Sequence, residues 1–206
     1  MYSPSQPFTP TLLTPRLSKV LTSTQHPTLD LAMNGFSFDA LCADFEDIQP
    51  SDLADRVSQK LGVRYLQETL PGSKKIIRGA VWGPSLRPII SLHVQITDNI
   101  TTMSGTRQPI NVHFLFLEAS PQTYISEEAL RLMGIEDAVV AGEALVGPND
   151  HVRLPLKING YRVDVARSPS DSHFAHLNIL GEDLIRASGA SAYYGGNPPN
   201  FELVFP

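Results

Sequence analysis

The sequence predicts a mainly β domain of the α+β type: a small β-barrel with two short helices, preceded by a disordered N-terminal tail. Short runs of alternating or continuously apolar residues, separated by Gly, Pro and Asn turns, recur through the second half of the chain. Two short helical patterns interrupt these runs, and no internal repeat is evident. Residues 1–28 differ, because they are rich in Pro, Ser and Thr and have no apolar period.

Composition sets the class of protein and the partners to expect. The chain has 206 residues, of which 42% are hydrophobic and 18% charged, and its net charge is −5. These values are typical of a soluble globular domain with extensions. No stretch is rich enough in Lys and Arg to form a basic face, so nucleic acid is not an expected partner.

Cysteine content and hydropathy indicate the compartment. Cys42 is the single cysteine, which excludes an intramolecular disulfide and a Cys-based zinc site. The chain starts without the pattern of a secretion signal and has no apolar run of membrane-spanning length. We therefore expect no membrane association and an intracellular, cytoplasmic location.

The pattern divides the chain into a tail at 1–28, an N-terminal extension at 29–86 and a barrel at 87–206. Residues 29–50 mix apolar and acidic side chains. Such a segment is either an arm packed on its own domain, which we favour, or a docking motif that folds on a partner. Behind it, Ser51 starts a helix that Gly62 ends, and strand-like runs follow at 63–68 and 74–82.

Each element of the barrel has its own signal. Asn159-Gly160 predicts a type I′ hairpin turn, because both positions need positive φ. Ser126 caps the first short helix, and its apolar residues Leu130, Leu132 and Met133 are predicted to face inward. The predicted elements are strands 88–96 and 110–117, a helix ending at 134, the hairpin 152–166, strand 177–180, helix 182–188 and strand 201–205.

Three of these segments, in this order, resemble the retropepsin-like aspartic proteases of retroviruses and retrotransposons. Phe114 to Ser126 is similar to the family's apolar strand, Asp-Thr-Gly-Ser or Asp-Thr-Gly-Ala loop, second strand and helix start. The hairpin at 157–163 follows. Asn178 to Ile185 resembles the Ile-Leu-Gly-x-Asp-Leu-Leu motif, in which Ile179, Leu180 and Gly181 would pass beside the catalytic loop. The resemblance covers Arg87 to Pro206 and implies a closed, acid-protease-like barrel.

The resemblance also implies that the active-site turn is degenerate. In the family, two protomers each supply one aspartate on a two-fold axis, and the pair shares a proton. An ungapped alignment on Ser120 places Leu117 at the aspartate, Glu118 at the threonine and Ala119 at the glycine. No Asp in the chain is followed by Thr-Gly or Ser-Gly. The expected protein is a non-catalytic pseudoenzyme derived from a retroelement protease.

An alternative reading keeps an enzyme. Shifting the alignment by one residue makes Glu118 the carboxylate of an aspartic-type endopeptidase. Glutamate is one methylene longer than aspartate, and a misplacement on the order of 1 Å can cost ~100-fold in rate. In a retropepsin-like dimer, the two Glu118 carboxylates would also approach the axis and repel each other, which disfavours a homodimer.

The other candidate sites are weaker, and no metal or cofactor is expected. His173 and His176 have a spacing that suits two metal ligands, but they lie in a loop without a third. His93 and His113 are predicted to face outward from strands. Ser168, Asp171 and His173 hold the atoms of a hydrolase triad but lack a nucleophile elbow. Residues 142–147 fit a shortened flap and a plain surface loop equally well.

The sequence therefore favours a function in binding. The expected ligand is an extended peptide in the residual groove, or a second copy that pairs through strand ends. A third reading assigns the function to residues 29–50, which would dock on another protein with the barrel as scaffold.

Overall fold

The computed structural model describes residues 48–97, 108–135, 145–146, 152–170, 172, 174–196 and 199–206. The predicted tail, nearly all of the segment 29–50, His173 and most of the loop 142–147 lie outside the described residues. The ten strands are β1 Ile76–Trp82, β2 Arg87–Ile96, β3 Ile110–Phe116, β4 Tyr124–Ile125, β5 Leu145–Val146, β6 Val152–Ile158, β7 Tyr161–Arg167, β8 Asn178–Leu180, β9 Ser191–Gly195 and β10 Asn200–Val204.

The described part of the chain contains three short helices in addition to the strands. The first, α1, is a continuous run of the segments Pro50–Asp52, Leu53–Val57 and Ser58–Leu61, of which the middle one has π-helical hydrogen bonds. Helix α2 is Glu127–Leu132 and helix α3 is Glu182–Ser188. No helix in the described part of the chain has the length and apolar character needed to cross a bilayer.

Six strands close a barrel, which confirms the predicted mainly β fold. They follow one another in the order β6, β7, β4, β8, β3, β2, and β2 pairs back onto β6 where Val94 lies opposite Ile158. The β6–β7 hairpin turns at Asn159-Gly160 with φ of 49° and 87°, as a type I′ turn requires. On β2, Ile90, Leu92 and Val94 point into the barrel, as their alternation predicts.

The remaining strands extend the sheet away from the barrel. Strand β1 pairs with β2 on one side and with β10 on the other, and β10 pairs with β9. Strand β9 is thereby an outer strand of the sheet. The sequence did not predict it, because its side chains are mostly exposed on both faces and so carry no alternation.

Helix α1 packs on the outside of the barrel. Leu53 and Val57 lie one turn apart and are both buried, together with Ile48. They form a second apolar cluster with the outward-facing Leu115 of β3 and Ile179 of β8. Of the segment 29–50, the structure describes only residues 48–50, and among these Ile48 packs on the domain while Gln49 and Pro50 are exposed.

Two predicted details are wrong. Residues 63–68 form no strand and make only an isolated bridge, between Glu68 and Ile110, with backbone bonds beside it. Leu132 is 44% exposed, although it was expected to face inward. Leu130 and Met133 are three positions apart and lie on the buried side of α2. Leu132 points to the solvent side of the helix.

Candidate functional site

Two of the three segments that carry the family resemblance lie side by side. Strands β3 and β8 run parallel, with Leu115 beside Ile179 and Phe116 beside Leu180. After β3 the chain makes a tight turn from Leu117 to Ser120, closed by a bond from the Ser120 amide to the Leu117 carbonyl at 3.0 Å. The Leu117 amide donates to the Leu180 carbonyl at 3.1 Å, so the turn is fixed against the end of β8.

Gly181 lets the two chain segments cross closely. A Cβ atom at this position would lie against the backbone of Gln122, well inside the closest approach that real Cβ atoms make. The Glu182 amide donates to the Ser120 carbonyl at 2.9 Å, directly beyond the crossing. Glycine is therefore required here by space, not by φ.

A pair formed by the buried Thr123 and the partly buried Asp183 holds the two segments together near Gly181. The Thr123 hydroxyl donates to Asp183 Oδ1 at 2.6 Å and the Thr123 amide donates to Asp183 Oδ2 at 2.8 Å. The same hydroxyl accepts the Gly181 amide at 3.1 Å. Sequence reasoning did not single out either residue, because the contact joins positions 60 residues apart.

The four side chains of the turn have different surroundings. Leu117 is partly buried and packs against the outer apolar cluster. Glu118 and Ala119 are exposed, at the tip of the turn. Ser120 is buried, and its hydroxyl donates to the Gln122 carbonyl at 2.6 Å. The residue that the alignment places at the family's aspartate is thus held in apolar surroundings.

Glu118 has one polar neighbour, supplied by β9. The Tyr194 hydroxyl donates to Glu118 Oε1 at 3.4 Å. Partial burial of the phenol, together with the Glu118 charge, raises the pKa of Tyr194 to about 12. The tyrosine therefore stays neutral and acts only as a donor to the carboxylate.

The face beside the turn is already covered by the chain itself. Ile48 is fully buried in the outer cluster, and its carbonyl accepts a bond from His176 Nε2 at 2.8 Å. Leu53 and Val57 of α1 fill the same cluster, which also holds Leu117. An extended peptide in a residual groove at this place would have to displace the arm.

His113 faces outward from the barrel, as predicted, on the same side of β3 as Leu115, and it is buried there beneath α1. Its Nε2 lies 3.0 Å from the Ser58 hydroxyl, and its ring centroid lies 5.2 Å from that of Tyr65. Since the Ser58 hydroxyl donates to the Leu53 carbonyl at 2.9 Å, the His113 Nε2–H must be the donor to Ser58. Burial lowers the pKa of His113 to about 4, partly offset by the backbone of Val63.

A polar chain links this region to α2. The Asn178 side-chain amide donates to the Tyr65 hydroxyl at 2.9 Å, and its carbonyl oxygen accepts the Ser126 amide at 2.8 Å. Ser126 also caps α2, since its hydroxyl accepts the Ala129 amide at 3.4 Å. Asn178 thus holds the extension, β8 and the start of α2 together.

Of the three residues of the candidate hydrolase triad, the structure describes Ser168. The Ser168 hydroxyl donates to the Leu177 carbonyl at 2.8 Å, so it is part of the structure of its loop, and Asp171 and His173 lie outside the description. Within the described ranges, no group of three or more His, Cys, Asp or Glu side chains is placed to hold a metal ion.

The arrangement provides one exposed carboxylate and a neutral phenol at the turn, next to an apolar cluster. Two carboxylates sharing a proton, which acid-protease chemistry needs, are not brought together by the turn of one chain. Comparisons with protein-family models, with curated proteins and with solved structures find no match to this chain.

Proposed function

We propose that this chain is a non-catalytic retropepsin-like domain, derived from a retroelement protease, that binds an extended protein segment. The observation that carries the proposal is the surroundings of Leu117. The residue aligned with the family's aspartate is apolar, and it packs against a cluster that contains Ile48 and two residues of α1. Leu117 itself has no group that could donate or accept a proton.

Strand addition at β9 is the mode of binding that fits the rest of the domain. Among the described strands, β9 pairs with β10 on one side and has no neighbour on the other. An extended segment that adds to such an edge gains main-chain hydrogen bonds along its length. Strand β9 contains no charged residue and no proline, the devices by which sheet edges are commonly protected from pairing.

The absence of catalysis is tested with a peptide library incubated with the protein from acidic to neutral pH. We expect no cleavage by the wild-type chain or by Glu118→Gln. Cleavage with an acidic optimum that disappears in Glu118→Gln would show the endopeptidase instead.

The binding mode is tested by NMR with a short capped peptide of alternating Thr and Val, added to dilute protein. We expect saturable shifts of the β9 amides. The matched control is the same peptide with alternate amides N-methylated, which removes the donors that a strand partner needs. Shifts that are equal for both peptides, or that fall outside β9, would rule out strand addition.

A further inference from the structure

Most residues of strand β9 are exposed to solvent and are therefore accessible to a partner. Tyr193 is 56% exposed and Tyr194 is 55% exposed, and Ser191 and Gly195 are also exposed. The two tyrosines differ in their environment. Tyr194 packs on Phe201 of β10, with ring centroids 5.1 Å apart, and bonds Glu118. Tyr193 alternates to the opposite face of the sheet, where it stands beside Glu202.

We infer that the segment added to β9 is the β9 strand of a second copy, paired antiparallel about a two-fold axis at Tyr193. This inference rests on the proposed function and names its partner. In this register Tyr193 lies opposite its own counterpart, and Ser191 lies opposite Gly195 of the other copy. Ala192 lies opposite Tyr194, so each large ring meets a small residue on that face.

Charge favours a second copy as the occupant. The charged side chains on the Tyr193 face of β1 and β10 are Arg78 and Glu202, and they form an ion pair at 3.1 Å. On this face, β1 and β10 therefore carry no net charge next to β9. Pairing β9 with itself brings no charged side chain of either strand against a like charge.

The size of the contact sets its strength. Two five-residue strands with one tyrosine pair form about four to six main-chain hydrogen bonds. Their contact falls below the ~1,200 Å² at which stable complexes begin. The dimer is accordingly weak, with a dissociation constant on the order of 10–100 µM, and forms as the local concentration of the chain rises.

The proposed β9 dimer differs from the retropepsin-like dimer that repulsion between two Glu118 carboxylates disfavours. A two-fold axis through the Leu117–Ser120 turn would bring two Glu118 carboxylates together. The axis proposed here passes through β9, and Glu118 is held on the inner face of the sheet by Tyr194, while the Tyr193 pair occupies the outer face.

The experiment is sedimentation of the full chain over a wide concentration range, together with Tyr193→Lys. The substitution places two like charges opposite each other at the axis and keeps the fold, because the side chain is exposed. The matched control is Ile76→Lys. Ile76 is 58% exposed and belongs to β1, two strands from the edge.

We expect the wild-type chain to approach twice its monomer mass with rising concentration. Tyr193→Lys should weaken the dimer at least tenfold, whereas Tyr193→Phe and Ile76→Lys should match the wild type. A chain that stays monomeric at every concentration, or that Tyr193→Lys leaves unchanged, or that Ile76→Lys weakens equally, would overturn the inference. If the Thr-Val peptide still binds β9 in those cases, the proposed function stands without the dimer.

Discussion

His113 lies in buried surroundings that disfavour its protonated, charged form. The ring is almost fully buried between β3 and α1, and the neutral form donates its Nε2–H to the Ser58 hydroxyl. Burial lowers its pKa in the folded chain from 6.5 to about 4. The unfolded chain carries no such restriction.

The shift predicts how stability depends on pH. Between pH 6.5 and about 4 the unfolded chain binds a proton that the folded chain excludes. The contribution of His113 to the free energy of unfolding should therefore be at its maximum above pH 6.5. As the pH falls from 6.5 to about 4, the free energy of unfolding should decrease by about 3 kcal/mol because of His113. Denaturant unfolding of the wild type and of His113→Gln over these pH values measures it.

His113→Gln keeps a donor toward Ser58 but does not titrate, so its unfolding free energy should fall less steeply across the same range. His93, whose pKa burial also lowers, contributes equally in both proteins. Parallel pH curves for the two proteins would contradict this, because they would mean that His113 has the same pKa in the folded and the unfolded chain.

At the scale of elements, the segment after the Leu117–Ser120 turn crosses the end of β8 at very close range. The crossing depends on Gly181, since a Cβ there would collide with the Gln122 backbone, which cannot rotate away. We expect Gly181→Ala to lower the free energy of unfolding by about 2–4 kcal/mol. Urea unfolding measures the loss.

Gly72 is the matched control for this substitution. A Cβ at Gly72 would meet nothing within 4 Å, so Gly72→Ala should change the free energy of unfolding by less than about 0.5 kcal/mol. Equal effects at the two glycines would mean that the turn and β8 are not held together as described.

Elements that carry a periodic apolar pattern could be predicted from the sequence. Helix α1 was found from Leu53 and Val57, and β2 from its alternation, because in both cases one face is buried and the other is wet. Strand β9 gives no such signal, since it has solvent on both faces. The strand pattern gave the outward direction of His113 but not its burial, because it cannot reveal that α1 covers the outer face of β3.

The candidate site was predictable only as two neighbouring segments. The order of motifs placed Leu117–Ser120 and Ile179–Gly181 together, and their hydrogen bonds agree. The contacts that hold the crossing, from Thr123 to Asp183, join residues that no local pattern connects. The same is true of Tyr194 and Glu118, which come together only because β9 folds back beside the turn.

At the scale of the whole molecule, the proposed non-catalytic function rests on more than one residue. Acid-protease chemistry needs two carboxylates that share a proton in an accessible cleft. The resemblance aligns Leu117 with the family's aspartate. Ile48 belongs, together with Leu53 and Val57 of α1, to the apolar cluster against which Leu117 packs. We therefore expect that an acid at position 117 would not by itself create a catalytic cleft.

The substitution Leu117→Asp tests this conclusion, with Leu117→Ala as its control. We expect neither variant to cleave peptides at any pH. The alanine variant loses packing, at a cost of about 1–2 kcal/mol for a partly buried leucine. Leu117→Asp also places a carboxylate against apolar side chains and should be destabilised by at least about 1 kcal/mol more at neutral pH. Because those surroundings raise the pKa of the new carboxyl group, this extra loss is present at neutral pH and should disappear as the group becomes protonated in acid. Unfolding at neutral and acidic pH, together with a peptidase assay, separates the outcomes. Acid-dependent cleavage by Leu117→Asp would mean that the site is open. A loss of unfolding free energy that does not depend on pH would mean that residue 117 faces water.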